Sequence, residues 1–101
     1  MRAGDVQRVL GEGKPLHGTR VVLFVAPGPG GSAFVASRRV GGAVQRNRAR
    51  RILRAAWQQV APQVEGRYDV VLVARQGIRG AKTQDLVADM TELLRAEDAR
   101  P

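Results

Sequence analysis

An apolar stripe with helical spacing runs through the most basic segment of this chain. Its members recur at intervals of three and four residues: Ala49, Ile52, Leu53, Ala56 and Val60. That spacing places them on one face of an α-helix and does not suit a strand, in which alternate side chains share a face. The pattern predicts a central helix over Ala43–Val60 that packs against the rest of the domain through this face.

The opposite side of the predicted helix carries positive charge almost alone. Five arginines fall within the nine residues from Arg46 to Arg54, and no carboxylate lies among them. Like charges at this spacing repel one another and weaken a helix, so we expect an anion alongside. The alternative is a solvated basic face that only aids solubility, and the single sign of the charge argues against it.

The charge of the whole chain favours a polyanionic partner. Its 101 residues include 17 basic and 9 acidic side chains, for a net charge of +8. Only Lys14 and Lys82 are lysines, and the planar guanidinium of the many arginines can bind a phosphate through two parallel hydrogen bonds. This composition is typical of nucleic-acid binding.

Length and composition also limit the class of protein. The chain is long enough for one domain and has no cysteine, so neither disulfides nor thiolate chemistry is expected. It contains no apolar run of about 18 residues and no signal-like N-terminus. We therefore expect a cytoplasmic protein with no membrane partner.

The flanking segments predict two further helices and three strands. Asp5 is suited to cap the first helix, Gly11 and Gly13 to end it, and Thr83 to cap the last helix. The glycine-proline loop 27–31 is short enough for the strands on either side of it to pair as an antiparallel hairpin. A nearly continuous apolar run predicts that the third strand is buried on both faces. The predicted elements are a helix over 5–10, strands over 20–26, 32–37 and Tyr68–Ala74, and a helix from Thr83 onward.

The sequence from Phe34 to Arg54, FVASRRVGGAVQRNRARRILR, resembles the signature of the bacterial ribonuclease P protein component. The triplet Arg46-Asn47-Arg48 is the core of that signature. The resemblance extends over about residues 5 to 95, because the order of the predicted elements before and after the signature also matches. A three-residue match alone would carry little weight, whereas the longer pattern is specific.

The resemblance implies a single RNA-binding domain over residues 1–101 with an α+β fold. The expected architecture is a two-layer α/β sandwich with a mixed sheet of about four strands and three helices. The arginine helix would connect two parallel strands through a left-handed crossover, as in the second domain of ribosomal protein S5. Such a connection departs from the usual right-handed rule.

The resemblance also implies a function. Proteins of this family bind a catalytic RNA and the 5′ leader of precursor transfer RNA, and they assist magnesium-dependent removal of that leader. The RNA is expected to carry the chemistry, so the protein would be an accessory subunit with no catalytic residue, no confident metal site, no DNA partner and no obligate protein partner. Magnesium would be required by the holoenzyme.

Two sets of site residues follow from the resemblance. The first set would face the catalytic RNA, and the second would line a cleft for the leader between the first helix and the sheet. The RNA-facing set is Arg38, Arg39, Arg46, Asn47, Arg48, Arg50, Arg51 and Arg54, and the leader set is Val6, Leu10, Phe24, Phe34, Ser37 and Arg75.

This sequence departs from the family pattern at three places. Val6 and Leu10 replace aromatic residues on the first helix and cannot stack on bases. Gly42 stands where an asparagine is usual, and Arg2 is nearly all that is left of a basic N-terminal extension. We expect these differences to weaken RNA contacts without changing the family.

Other functions fit the residues less well. A ribosomal or general RNA-binding protein with a similar helix is the main rival, and leader-dependent binding would separate the two. A DNA-reading helix would need more varied hydrogen-bonding side chains, and a metal-dependent hydrolase would need clustered ligands rather than scattered carboxylates. His17 is interpreted as a surface residue in a turn, and Trp57 as a packing residue rather than a base-stacking one.

Overall fold

The computed structural model describes residues 1–98 as three helices, a four-stranded sheet and two single-turn 3₁₀ helices at Ala61–Gln63 and Gln76–Ile78. The strand order in the sheet is β1-β2-β4-β3. No helix in the described residues has the length and apolar character needed to cross a lipid bilayer. The elements are α1 (Ala3–Glu12), β1 (Lys14–His17), β2 (Val21–Pro27), β3 (Ser32–Ala36), α2 (Ala43–Val60), β4 (Tyr68–Ala74) and α3 (Thr83–Asp98).

The predicted hairpin between β2 and β3 is wrong, because β4 lies between these two strands. Leu72 of β4 lies opposite Leu23 of the antiparallel neighbour β2 and opposite Phe34 of the parallel neighbour β3. The most apolar strand gains most from a central position, where both of its faces are covered. The loop 28–31 therefore carries the chain from one side of β4 to the other instead of closing a tight turn.

The α+β class, the mixed four-stranded sheet and the three helices confirm the expected fold. β3, α2 and β4 form the parallel β-α-β unit that the resemblance implies. The left-handed sense of that crossover stays a prediction. Helices α2 and α3 pack together on one face of the sheet, whereas α1 lies across β2 and β4 on the other face.

Side-chain alternation along β4 divides the apolar core between the two faces. Val70 and Leu72 pack in the larger cluster with α2 and α3, while Val71 and Val73 face α1. Val71 and Leu72 are both completely buried, which confirms the prediction of a strand covered on both sides. Every second residue of the neighbouring strands follows the same division.

The ends of the elements differ in detail from the sequence prediction. Asp5 does not precede α1 but lies in its first turn, where its carboxylate accepts a hydrogen bond of 3.4 Å from the backbone N–H of Arg2. Gly11 remains helical, and the helix ends at Gly13. Thr83 is already the first residue of α3, and the carboxylate of Asp85 accepts a hydrogen bond from the N–H of Lys82.

Strand β1 was not predicted. It pairs antiparallel with β2 at the edge of the sheet, and Leu16 is its one buried side chain. A proline and a single inward apolar residue give too weak a pattern to identify a strand of four residues. His17, assigned to a turn from the sequence, is an exposed residue of this strand opposite Val22.

A buried carboxylate fixes the loop that crosses the sheet. Asp69, at the start of β4, is 2% exposed and accepts hydrogen bonds from the N–H groups of Gly30 at 3.1 Å and Gly31 at 2.8 Å. Arg8 of α1 donates a further hydrogen bond and forms an ion pair with it. The hydrogen bond from Gly31 is the largest cause that lowers the pKa of Asp69 below 3.8. The hydrogen bond from Gly30 and the charge and hydrogen bond of Arg8 also lower this pKa, whereas burial raises it.

We expect Asp69 to make the stability of the fold depend on pH in the acid range. Its pKa in the folded protein lies below the ordinary value of 3.8, so its contribution is fully present above 3.8 and is lost as pH falls through the folded-state pKa. Replacement Asp69→Asn removes this contribution and should lower Tm at pH 7 by about 5 °C or more. Thermal unfolding of both proteins from pH 7 to pH 2 tests this, because the difference must shrink below pH 3.8. A constant difference over the whole range would contradict the assignment.

Candidate nucleic-acid interface

The core-facing stripe of α2 lies where the sequence predicts it. Its five residues are all buried: Ala49 at 1%, Ile52 at 7%, and Leu53, Ala56 and Val60 at 1% or less. Trp57, next to this stripe, is only 9% exposed, which confirms that it packs in the core. The orientation of the helix about its own axis is thereby fixed, and with it the direction in which the arginines point.

The five arginines of α2 form a band along its outer side, called here the arginine ridge: Arg46, Arg48, Arg50, Arg51 and Arg54. Arg51 and Arg54 are exposed, whereas the other three are partly covered. Arg46 donates a hydrogen bond of 3.2 Å to the carbonyl of Gly41, and Arg48 donates one to the carbonyl of Ala81. These neutral acceptors orient two guanidinium groups and leave their charge in place.

No ridge arginine forms an ion pair with a carboxylate in the described part of the chain. The four cations that do so in residues 1–98 lie elsewhere: Arg8 is paired with Asp69, Lys14 with Glu97, Arg20 with Asp89 and Arg95 with Glu92. The carboxylates of α3 thus neutralise other parts of the surface. The ridge keeps the uncompensated charge that the sequence predicts.

Two more predicted arginines precede the helix. Arg38 and Arg39 are exposed in the turn that follows β3, and buried Val40 anchors that turn. Gly41 has φ +142°, a backbone conformation that side chains with a Cβ rarely adopt. Because the turn leads directly into α2, both arginines lie near the start of the arginine ridge.

The start of α2 adds to this positive character. Gly42 occupies the capping position without a side chain to cap the helix, and the first turn holds no acidic residue. The free N–H groups at the start of a helix carry partial positive charge. Asn47 is exposed nearby, and its side-chain oxygen accepts a hydrogen bond from Arg50.

A second predicted surface lies between α1 and the sheet. Val6, Leu10 and Phe24, all assigned to it from the sequence, are partly buried in one cluster on this face. The helix lies over β2 and β4, so it leaves Ala33 and Val35 of β3 partly exposed beside it. We call this strip along the helix the α1 groove.

One end of the α1 groove is polar. Ser37 and Arg75 each follow the last paired residues of the parallel strands β3 and β4, Ala36 and Ala74. Both side chains are exposed, and Arg75 donates a hydrogen bond of 2.9 Å to the carbonyl of Gly18. These two predicted residues therefore lie together at the C-terminal ends of the parallel strands β3 and β4, where the chain leaves β3 towards α2.

Phe34 does not belong to this groove, and its assignment to the α1 side is wrong. Alternation along β3 directs it to the opposite face of the sheet, where it packs with the α2 cluster. There the guanidinium carbon of Arg54 lies 5.3 Å from the centre of its ring, a cation–π contact. Phe34 thus supports the arginine ridge from below.

The sequence prediction missed the floor of the α1 groove. Ala33, Val35 and Val73 lie in the same cluster as Val6 and Leu10 and are partly exposed. Period-two alternation in β3 would have grouped Ala33 with Val35 and separated both from Phe34. That signal becomes usable only when the strand's neighbours are known.

A family model described as Ribonuclease P matches residues 2–97. The chain belongs to the ribonuclease P family. Family membership places it in transfer RNA processing, as a component of a ribonuclease. The region matched extends over all three helices and all four strands, so it covers both the arginine ridge and the α1 groove.

Relatives and solved structures agree with this assignment. The chain is 41% identical over 98 residues to a ribonuclease P protein component of Chloroflexus aurantiacus, covering 93% of this chain and 73% of the relative. It is 42% identical over 84 residues to one of Nitratiruptor, covering 81% and 75%. In fold it is similar to the RNase P protein of Thermotoga maritima, with TM-score 0.78 and 21% identity, covering 95% of this chain and 94% of that one. It is also similar to the RNase P protein of Staphylococcus aureus, with TM-score 0.77 and 19% identity, covering 96% of this chain and 92% of that one.

Proposed function

We propose that this ribonuclease P family member is the protein subunit of ribonuclease P and binds its catalytic RNA through the arginine ridge. The observation that carries the proposal is that the ridge faces outward and has no carboxylate partner among residues 1–98. The holoenzyme would remove the 5′ leader of precursor transfer RNA in a magnesium-dependent reaction. The RNA would carry the chemistry, and the protein would bind and orient its RNA partners.

Electrostatics supports a folded RNA as the partner. The ridge and the two arginines before it place seven guanidinium groups around one helix and the turn preceding it. Each phosphate that such a group contacts releases condensed counterions, so affinity should be high and should fall steeply with salt. Rigid α2 fixes the spacing of the contacts, which favours one docking orientation over diffuse attraction.

The α1 groove is suited to single-stranded RNA, and we assign the leader to it. Its partly exposed apolar floor can contact bases or riboses, and Phe24 supplies an aromatic ring beside α1. Val6 and Leu10 offer no π-face, so contact with the leader should depend less on base stacking than in relatives with aromatic side chains there. Arg75 would hold a leader phosphate at the polar end.

Magnesium would be required by the holoenzyme. Residues 1–98 bring no three aspartate, glutamate or histidine side chains close enough together to hold a metal ion. The protein's contribution would be to lower the repulsion between RNA phosphates, which otherwise demands a high concentration of divalent cations. Its effect should therefore be greatest when magnesium is scarce.

The experiment is reconstitution of the full chain with a transcript of a bacterial ribonuclease P RNA. At low magnesium we expect the chain to accelerate cleavage of precursor transfer RNA by about tenfold or more, since it supplies cationic charge to the RNA. The product should be the mature 5′ end, which primer extension can locate. RNA binding without acceleration would contradict the processing role and favour a general RNA-binding protein.

Arg75→Ala tests the assignment of the leader to the α1 groove. We expect it to weaken binding of precursor transfer RNA to the holoenzyme by about fivefold, since one phosphate contact is lost, while mature transfer RNA binds as before. The measurement is the ratio of the two Kd values. Because Arg75 also bonds to the carbonyl of Gly18, the Tm of the variant is measured alongside. An equal loss for both RNAs would contradict leader contact.

A further inference from the structure

A hollow of about 350 Å³ lies beside the first half of α2, where this helix meets the connection between β4 and α3. Two arginines from distant parts of the chain line it: Arg48 of the ridge and Arg79, which follows the 3₁₀ helix after β4. Gln45 also borders the hollow, and buried Val40 and Ile78 form its floor. None of the predicted RNA-facing residues lies on the connection itself.

The geometry of this hollow is fixed by the backbone around it. Arg48 donates a hydrogen bond to the carbonyl of Ala81, so its guanidinium is directed to the connection rather than left mobile in solvent. Ala81 is 6% exposed, and its N–H donates to the carbonyl of Ile78 at 3.0 Å. Between them Gly80, with φ +80°, allows the chain to turn back onto α2. The main chain that carries Arg79 is thereby held against α2, and Arg48 is attached to it through the carbonyl of Ala81.

No carboxylate in the described part of the chain compensates the charge of the hollow. Its lining residues there include no aspartate or glutamate. The acidic side chains at the start of α3 are engaged elsewhere: Asp85 accepts a hydrogen bond from the N–H of Lys82, and Asp89 is paired with Arg20. Two guanidinium groups around a concave site with an apolar floor attract an anion more strongly than the same groups on a convex surface.

We propose that this hollow binds one phosphodiester group of the partner RNA between the guanidinium groups of Arg48 and Arg79. The RNA surface then extends from the arginine ridge over the β4–α3 connection, and Gln45 donates a hydrogen bond to the same nucleotide. Arginine suits this position because its planar fork can present two donors to a phosphate. The inference rests on the proposed function, since it requires that the chain binds RNA.

Arg79→Ala tests the site, measured as the Kd of the full chain for a bacterial ribonuclease P RNA transcript over a range of salt concentrations. One lost phosphate contact should weaken binding by about five- to tenfold near 0.1 M salt and should reduce the salt slope by about one. Arg79 is exposed, and its side chain forms no hydrogen bond or ion pair within residues 1–98, so Tm should stay unchanged. The conservative variant Arg79→Lys should recover part of the affinity, because it keeps the charge but not the fork.

Arg67→Ala is the matched control. It removes the same charge from an exposed position just before β4, at the end of that strand remote from the hollow. We expect it to leave the salt slope unchanged. If Arg79→Ala and Arg67→Ala weaken binding equally, Arg79 contributes only general charge and the site is refuted.

A double-mutant cycle tests whether both arginines hold the same phosphate. Groups that share one ligand are coupled, so Arg48→Ala combined with Arg79→Ala should cost less than the product of the two separate losses. Additive losses would overturn the shared site. Normal binding by Arg79→Ala, with weakened binding by ridge variants, would refute the site and leave the proposed function standing; normal binding by all of them would refute both.

Discussion

Simultaneous replacement Arg51→Ala and Arg54→Ala should weaken binding to a bacterial ribonuclease P RNA by about thirtyfold near 0.1 M salt and reduce the salt slope by about two. Both side chains are exposed on the outer face of α2. Neither donates a hydrogen bond to another element within residues 1–98, although Arg54 lies over the ring of Phe34. The loss should therefore come from the two phosphate contacts rather than from misfolding. Filter binding at several salt concentrations measures both quantities.

The same double variant should be about as stable as the unaltered chain, because relief of charge repulsion offsets the lost contact of Arg54 with Phe34. Arg51 lies three residues from both Arg48 and Arg54, so alanine relieves repulsion between like charges and also has a higher helix propensity. Tm should therefore stay nearly unchanged while RNA affinity falls. That combination is the signature of residues kept for binding rather than for stability.

The matched control is the double variant Arg67→Ala and Arg95→Ala, which has the same net charge. Arg67 is exposed before β4, and Arg95 is exposed on α3 with its ion-pair partner Glu92 at 3.8 Å. We expect its RNA affinity to change by less than about threefold, because charges away from the interface act only through a screened field. Equal losses in both double variants would remove the ridge as a specific docking surface.

The second large effect concerns the apolar side of the same helix. Leu53→Ala should lower the free energy of unfolding by about 3 kcal/mol, since a fully buried leucine leaves a cavity that its neighbours fill only in part. For a domain of this size that corresponds to a fall in Tm of about 15 °C. Urea unfolding followed by circular dichroism measures the change. Leu53 joins α2 to the sheet in the larger apolar cluster, so the loss affects the whole domain.

Val44→Ala is the control for substitution by alanine at an exposed position of α2. Val44 lies in the first turn of α2 but is 79% exposed, so its replacement removes a similar side chain without leaving a cavity. We expect stability to change by less than about 0.5 kcal/mol. A comparable loss in both variants would contradict core packing as the cause, because alanine raises helix propensity at both positions. Below its Tm, the Leu53→Ala variant should still bind RNA.

How far the sequence predicts the site depends on whether the signal is local. The helical period of Ala49, Ile52 and Leu53 fixed which side of α2 is buried, and the arginines then had to lie outside. Local periodicity could not predict which strands are neighbours in the sheet. A short loop between two apolar runs favours a hairpin, yet β4 separates β2 from β3, and Asp69 holds the connecting loop over its end.

Phe34 and Arg79 show why the remaining parts of the site required the tertiary structure. Alternation predicts that Phe34 lies on the opposite face of the sheet from Ala33 and Val35. Only the packing of α1 and α2 decides which helix covers each of these faces. Arg79 stands 31 positions after Arg48 in the sequence and shares a hollow with it. The sequence alone determined the two faces of α2, the buried character of β4 and the family, because these depend on residues close together along the chain. Tertiary structure decided strand order, the side of the sheet on which each surface lies and the meeting of Arg48 with Arg79, because those depend on contacts between segments that no local periodicity specifies.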